Sequence, residues 1–132
     1  MPNDRPVRIA LIGCGAIAPA HVEAAQSFPG QCQIVALCDI VPEKAEALKA
    51  RFGLEQAVVT DRAEKLLDLE FDLDAICTPP YTHAELAIMM LRAGRHVIVE
   101  KPMAASLEEC DRMLAAAAES GLVEEEDLAP LS

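Results

Sequence analysis

VRIALIGCGAIAPA, running from Val7 to Ala20, holds the strongest structural signal in the chain. Arg8 aside, Val7 to Ile12 is an apolar, β-branched run of the length expected for a strand buried on both faces. It leads into Gly13-Cys14-Gly15-Ala16-Ile17-Ala18, a G-x-G-x-x-A turn, and then a predicted helix reaching about Phe28. Each small residue has a physical reason in a dinucleotide-binding turn. Gly13 permits the tight exit from the strand, Gly15 lets the backbone approach a pyrophosphate, and Ala18 lets the helix pack close to the sheet. The N–H groups of the first helical turn, around Ala16 and Ile17, and the positive helix end suit phosphate oxygens. Pro19 falls in that same first turn, where backbone N–H groups have no intrahelical partner to lose.

A glycine turn between a strand and a helix is common by itself, so its meaning depends on the residues beyond the helix. Gln33 to Cys38 reads as a second strand, and Asp39 stands at its end. That separation, roughly 20 residues or a little more, is the one at which a carboxylate meets the adenosine ribose hydroxyls. Strand, turn, helix, strand and terminal Asp in this order predict dinucleotide binding. The carboxylate suits the free ribose of NAD and repels the extra phosphate of NADP. Ile40 and Val41 come next, leaving Lys44 as the nearest cation. NAD is therefore expected over NADP, with Ile40 beside Asp39 among the contacts.

Composition bounds the rest. The 132 residues suit one domain and are few for an enzyme that needs two. Hydrophobic residues make up 52% and aromatics 3%, which predicts an ordered, aliphatic core. A formal net charge of -11 argues against a nucleic-acid or anionic-membrane surface. An anionic cofactor can still bind, because helix N-termini and backbone amides supply a local field. Cys14, Cys32, Cys38, Cys77 and Cys110 are odd in number and lack C-x-x-C spacing. They read as small thiols in a reduced compartment, with no metal site among them. Leu11-Ile12-Gly13-Cys14 resembles a lipoprotein cleavage box, yet only Ile9 to Ile12 separates Arg8 from Gly13. That is shorter than the apolar core of a secretory signal, about 7–15 residues. No run approaches the 18 or so apolar residues of a membrane span. A cytoplasmic protein is expected.

Further along, Pro42 to Phe52 is a predicted helix with Pro at its start and Gly53 as its stop. Ala57 to Val59 is a short third strand, and Asp61 is expected to cap a brief helix to about Leu67. Leu73 to Cys77 gives a fourth strand ending at Thr78-Pro79-Pro80. Tyr81 to Ala93 is a helix closed by Gly94, and His96 to Val99 a fifth strand ending at Glu100-Lys101-Pro102. Ser106-Leu107-Glu108-Glu109 is a capping box opening a helix to about Glu119. Strands alternating with helices, without hairpin signals, predict an α/β fold: a doubly wound parallel sheet of Rossmann type. Ligands of such sheets bind outside the carboxyl ends of the strands, where Asp39, Thr78, Glu100 and Lys101 converge with the glycine turn. Pro79 and Pro80 stiffen that rim, either as a flat apolar shelf beside the dinucleotide or simply as a rigid strand-to-helix turn. His21 and His83 each fall near a helix start; His21 is a cofactor contact, solvent-facing or a cap, and His83 a cofactor contact or exposed to solvent.

The glycine turn with His21, Cys38-Asp39, Thr78-Pro79-Pro80 with His83, and Glu100-Lys101-Pro102 together resemble the N-terminal domain of one enzyme family. It is the glucose–fructose oxidoreductase, inositol dehydrogenase and rhizopine-catabolism (Gfo/Idh/MocA) family, and the likeness runs from Val7 to about Gly121. The resemblance implies an oxidoreductase that moves a hydride between a nicotinamide cofactor and a sugar, polyol or related alcohol. It implies a catalytic role for Lys101, whose ammonium at a strand end could favour a substrate alkoxide or shuttle a proton. The family carries a sixth strand and a C-terminal substrate domain. Here Gly121-Leu122-Val123 begins such a strand and Glu124 to Asp127 stops it, since four like charges do not enter a buried parallel strand. Residues 1–123 are expected as the dinucleotide domain and 124–132 as a solvated acidic tail. The fifth strand is then an exposed edge that invites self-association. A fragment, a truncated remnant and a stand-alone, non-catalytic NAD(H) module are the alternatives, and the substrate is not legible.

Overall fold

The computed structural model describes residues 5–99 and 107–120. Val7–Ile12 forms β1, Cys32–Cys38 β2, Val58–Thr60 β3, Leu73–Ile76 β4 and His96–Val99 β5. All pair in parallel, in the order β3-β2-β1-β4-β5. The helices are α1 (Ala18–Gln26), α2 (Pro42–Phe52), α3 (His83–Arg92) and α4 (Leu107–Ser120). This is the doubly wound sheet expected. Consecutive strands step outward from β1 on one side, and the chain then returns to add β4 and β5 on the other. The reversal falls at β1 and β4, which makes their carboxyl ends the crevice of the fold.

The central strands are apolar because both faces are covered. Ile9 and Leu11 pack with Val22 of α1 and Leu48 of α2, while Ala10 and Ile12 pack with Leu66, Phe71 and Met90 on the other face. A register shift between Ile9 and Ala10, against β2, fits one extra residue into the β2 partner. At the amino ends, Asp72 accepts from both Arg5 and Arg8, which fastens the entry of β1 to that of β4. The Arg5 guanidinium, then that of Arg8, hold the Asp72 carboxyl well below the usual carboxylate range.

Several local expectations are corrected. Asp61 does not cap a helix: the element after β3 is a 3₁₀ stretch, Ala63–Asp68, whose N-cap is Arg62. The Asp61 carboxylate instead accepts from Lys65 Nζ at 2.7 Å. α1 stops at Gln26, short of Phe28, because Cys32 and Gln31 turn back to bond the Phe28 carbonyl. The helix expected from Tyr81 starts as a 3₁₀ turn over Pro80–Thr82, since prolines supply no N–H for an α-helical ladder. Glu100-Lys101-Pro102, Ser106 of the capping box, and the sixth strand and tail beyond Ser120 lie outside the described residues. β5 is the edge of the sheet among the described residues, with Ile98 half exposed.

Candidate functional site

Gly13 leaves β1 with φ +92°, a left-handed backbone that other residues rarely adopt. A Cβ there would stand 2.9 Å from the Cys77 carbonyl carbon and from Thr78 Cγ2, so no side chain fits. The turn is thus locked against the end of β4. Gly15 is the opposite case: a Cβ there would meet nothing within 4 Å. Its glycine is not demanded by the protein's own packing, and the space beside it is open to a ligand. Gly15, Ala16 and Ile17 are all exposed, and among the described residues no acceptor takes their backbone N–H groups. α1 starts directly after them, with Pro19 in its first turn as expected. A phosphate-sized anion fits this cradle of amides and open space on physical grounds.

Asp39 stands where expected, at the end of β2, and its carboxylate is already at work. Oδ2 accepts the Cys14 N–H at 2.8 Å and Oδ1 accepts the Val41 N–H at 2.8 Å. The side chain therefore ties the glycine turn to the loop that starts α2. Each oxygen keeps a further lone pair that can accept another hydrogen bond. Ile40 beside it is 88% exposed, an apolar side chain left open to solvent. Cys14 is buried beneath the turn. Burial, then the Asp39 carboxylate, push its thiol up to about 12, and burial also raises Cys38, so neither is a nucleophile at neutral pH. A groove of about 360 Å3 runs from Cys14, Gly15 and Ala16 past Pro19 to Lys44 and Arg51 of α2. Lys44, which the sequence marks only as the nearest cation, lines the same groove as the glycine turn.

On the β4 side, Pro79 is exposed and Pro80 half-buried. His83 is neither exposed nor at the surface of the crevice. It is 1% exposed, and its Nε2–H donates to the Thr78 carbonyl at 2.6 Å. His21 is half-buried on α1. The structure thus brings together Gly13, Gly15, Ala16, Ile17, Asp39, Ile40, Thr78, Pro79 and Pro80 at one end of the sheet. Glu100 and Lys101 come after β5 in the chain and lie outside the described residues.

One buried group carries no signal in the sequence. Asp74 on β4 is fully buried, and neither carboxylate oxygen has a hydrogen-bond partner among the described residues. Burial pushes it up to about 8. It pairs laterally with Ala10 and Val97, well below the carboxyl ends of the strands, so it is not part of the crevice. Its place in an apolar run hides it. Among the described residues no helix is long and apolar enough to cross a membrane, and no group of three or more metal-ligating side chains occurs.

Comparison with known proteins gives one consistent likeness. The family model for an oxidoreductase family with an NAD-binding Rossmann fold, Gfo/Idh/MocA, matches residues 7–125. A glycosyl hydrolase family 109 protein of Porphyromonas gingivalis is 37% identical over 121 residues, covering 86% of this chain and 26% of its own length. The crystal structure of the WlbA dehydrogenase from Bordetella pertussis, in complex with NADH and UDP-GlcNAcA, superposes with a TM-score of 0.85 at 34% identity. That match covers 92% of this chain and 36% of WlbA. KijD10, a 3-ketoreductase from Actinomadura kijaniata solved with NADP, superposes with a TM-score of 0.78 at 29% identity over 88% of this chain and 36% of its own. The chain spans 26% to 36% of the length of the curated relatives it matches first.

Proposed function

The chain belongs to the Gfo/Idh/MocA oxidoreductase family, and from that premise we propose that its crevice binds NAD(H) as the cofactor half of an alcohol–ketone oxidoreductase. One observation carries the reading: an open Gly15 in a run of three amides that no acceptor takes among the described residues, next to a strand-end carboxylate. In this assignment the amides of Gly15, Ala16 and Ile17 hold the pyrophosphate, and Asp39 with Ile40 holds the adenosine. Thr78, Pro79 and Pro80 form the wall on the β4 side. The nicotinamide, once bound, supplies the hydride acceptor or donor. Lys101, just after β5 in the chain, is assigned the substrate hydroxyl, where its ammonium favours the alkoxide. Glu100 precedes it and is assigned to the same wall. The substrate class is a sugar, polyol or related alcohol, supported by the sugar nucleotide bound to WlbA. A reducing cytoplasm suits the thiols of Cys14, Cys32 and Cys38.

NAD is assigned ahead of NADP. Asp39 places a negative charge where the 2′-phosphate would lie, and Lys44 is the cation that would offset it. Asp39→Ala also removes the brace on Cys14, so affinity for both cofactors is expected to fall. The selective effect is in the ratio, which is expected to shift toward NADP by about tenfold, a change of roughly 1.4 kcal/mol. Titrations of NADH and NADPH fluorescence against both proteins read it. An unchanged ratio would remove Asp39 as the selector.

The chemical assignment is tested in a fusion to the substrate domain of a related enzyme. Lys101→Met there is expected to reduce turnover of a polyol panel by at least about 100-fold, the usual range for a positioned proton donor. NADH affinity should stay within about twofold. Turnover that survives the substitution would exclude Lys101 from the chemistry.

A further inference from the structure

The T-P-P turn is not held by its prolines alone. His83 opens α3, a helix anchored by the buried Ala84, Ala87, Ile88, Met90 and Leu91. Its ring is 1% exposed, and Nε2–H donates back to the Thr78 carbonyl, across the turn that separates them. Thr82 Oγ1 donates to the Pro79 carbonyl at 2.8 Å and is also paired with Thr78 Oγ1. Thr78 Cγ2 in turn closes on Gly13, where a Cβ would lie only 2.9 Å away. The chain of contacts runs from a rigid helix, through an imidazole, to the wall of the glycine turn. A carbonyl can only accept, so Nε2 carries a proton.

We propose that His83 is a positioning residue for the nicotinamide half of the dinucleotide: it sets the T-P-P wall without touching the cofactor. This deepens the cofactor reading and rests on it. The assignment of halves comes from strand order. Asp39 lies at the end of β2, so the adenosine occupies the β2 side of the switch point, and the other half crosses to β4, where Thr78-Pro79-Pro80 stands. A wall a fraction of an ångström out of place costs the ligand half that leans on it and leaves the other half bound.

ADP-ribose carries the adenosine, the pyrophosphate and the second ribose but no nicotinamide, so it isolates what the nicotinamide ring contributes. His83→Leu is expected to weaken NADH roughly five- to tenfold, in line with one lost hydrogen bond, while ADP-ribose stays within about twofold. His83→Gln places an amide N–H near the position of Nε2 and is expected to recover most of the NADH affinity. In the unaltered protein, the imidazole nitrogen resonances should report a protonated Nε2 and shift on adding NADH but not ADP-ribose. That measurement stands even if the Leu variant does not fold. Equal losses for both ligands, no loss for either, or a ring whose shift tracks ADP-ribose would each overturn the positioning role. An unaltered protein that binds neither ligand would overturn the cofactor reading itself.

Discussion

Gly15→Val is expected to fold as the parent does and to bind NADH at least about 100-fold more weakly, a loss near 2.7 kcal/mol. Intact folding and lost binding have separate causes. Gly15 does not use a positive φ, and a Cβ at this position meets no protein atom within 4 Å, so the chain tolerates a side chain there. The volume a valine would fill is the volume assigned to the pyrophosphate, whose approach to the backbone the missing side chain permits. Gly13→Val is the control with the other signature. There the Cβ collides with Cys77 and Thr78 and the φ is left-handed, so stability falls before binding can be measured. Thermal unfolding and NADH titration on the two variants separate packing from ligand contact. Undiminished affinity in Gly15→Val would mean that the dinucleotide lies elsewhere.

The second large effect is on stability and comes from Asp74. Its carboxyl is fully buried without a hydrogen-bond partner among the described residues and is raised by burial from 3.8 to about 8. The folded chain therefore keeps a proton that the unfolded chain releases above pH 3.8. Stability from this group is complete below that pH and is lost as the pH rises toward 8, with a slope near 1.4 kcal/mol per pH unit in between. The Cys38 thiol of β2, itself raised by burial, is the titratable neighbour that Asp74 influences. Asp72 has the opposite sign: held low by Arg5 and Arg8, its contribution is lost only as the pH falls below the ordinary carboxylate range. From pH 5 to pH 7 the protein should lose about 3 kcal/mol, on the order of 10 °C in Tm. Asp74→Asn is neutral throughout and should flatten the profile across that window. Parallel profiles for the two proteins would show that the carboxyl is ionised in the folded state.

Much of the architecture is legible in the sequence because it depends on patterns of local residues. The β1 run, the glycine turn and the β2 run ending in Asp39 each carry their own periodicity and small-residue logic, and the fold places them as read. The same holds for α2, where Pro42 and Gly53 bound the helix. Features that escape a sequence reading depend on partners the local pattern does not name. Nothing local tells that Asp39 braces the Cys14 amide, or that Asp61 prefers Lys65 to its own helix start. His83 is three residues past a Pro-Pro pair, a position that reads as a cofactor contact or as exposed until the 3₁₀ turn rotates the ring inward beneath Thr78. Asp74 is masked by its setting, since one carboxyl in Leu73-Asp74-Ala75-Ile76 does not disturb the apolar signal of a buried strand.

The amides of the glycine turn are the proposed seat of the dinucleotide, and an amide map of NADH binding tests that assignment most directly. NADH titrated into the isotope-labelled chain should saturate at one equivalent, with the largest amide shifts at Gly15, Ala16 and Ile17 and a second group around Asp39 and Ile40. Shifts confined to the opposite end of the sheet, around Arg8 and Asp72, or no saturable binding at all, would contradict it.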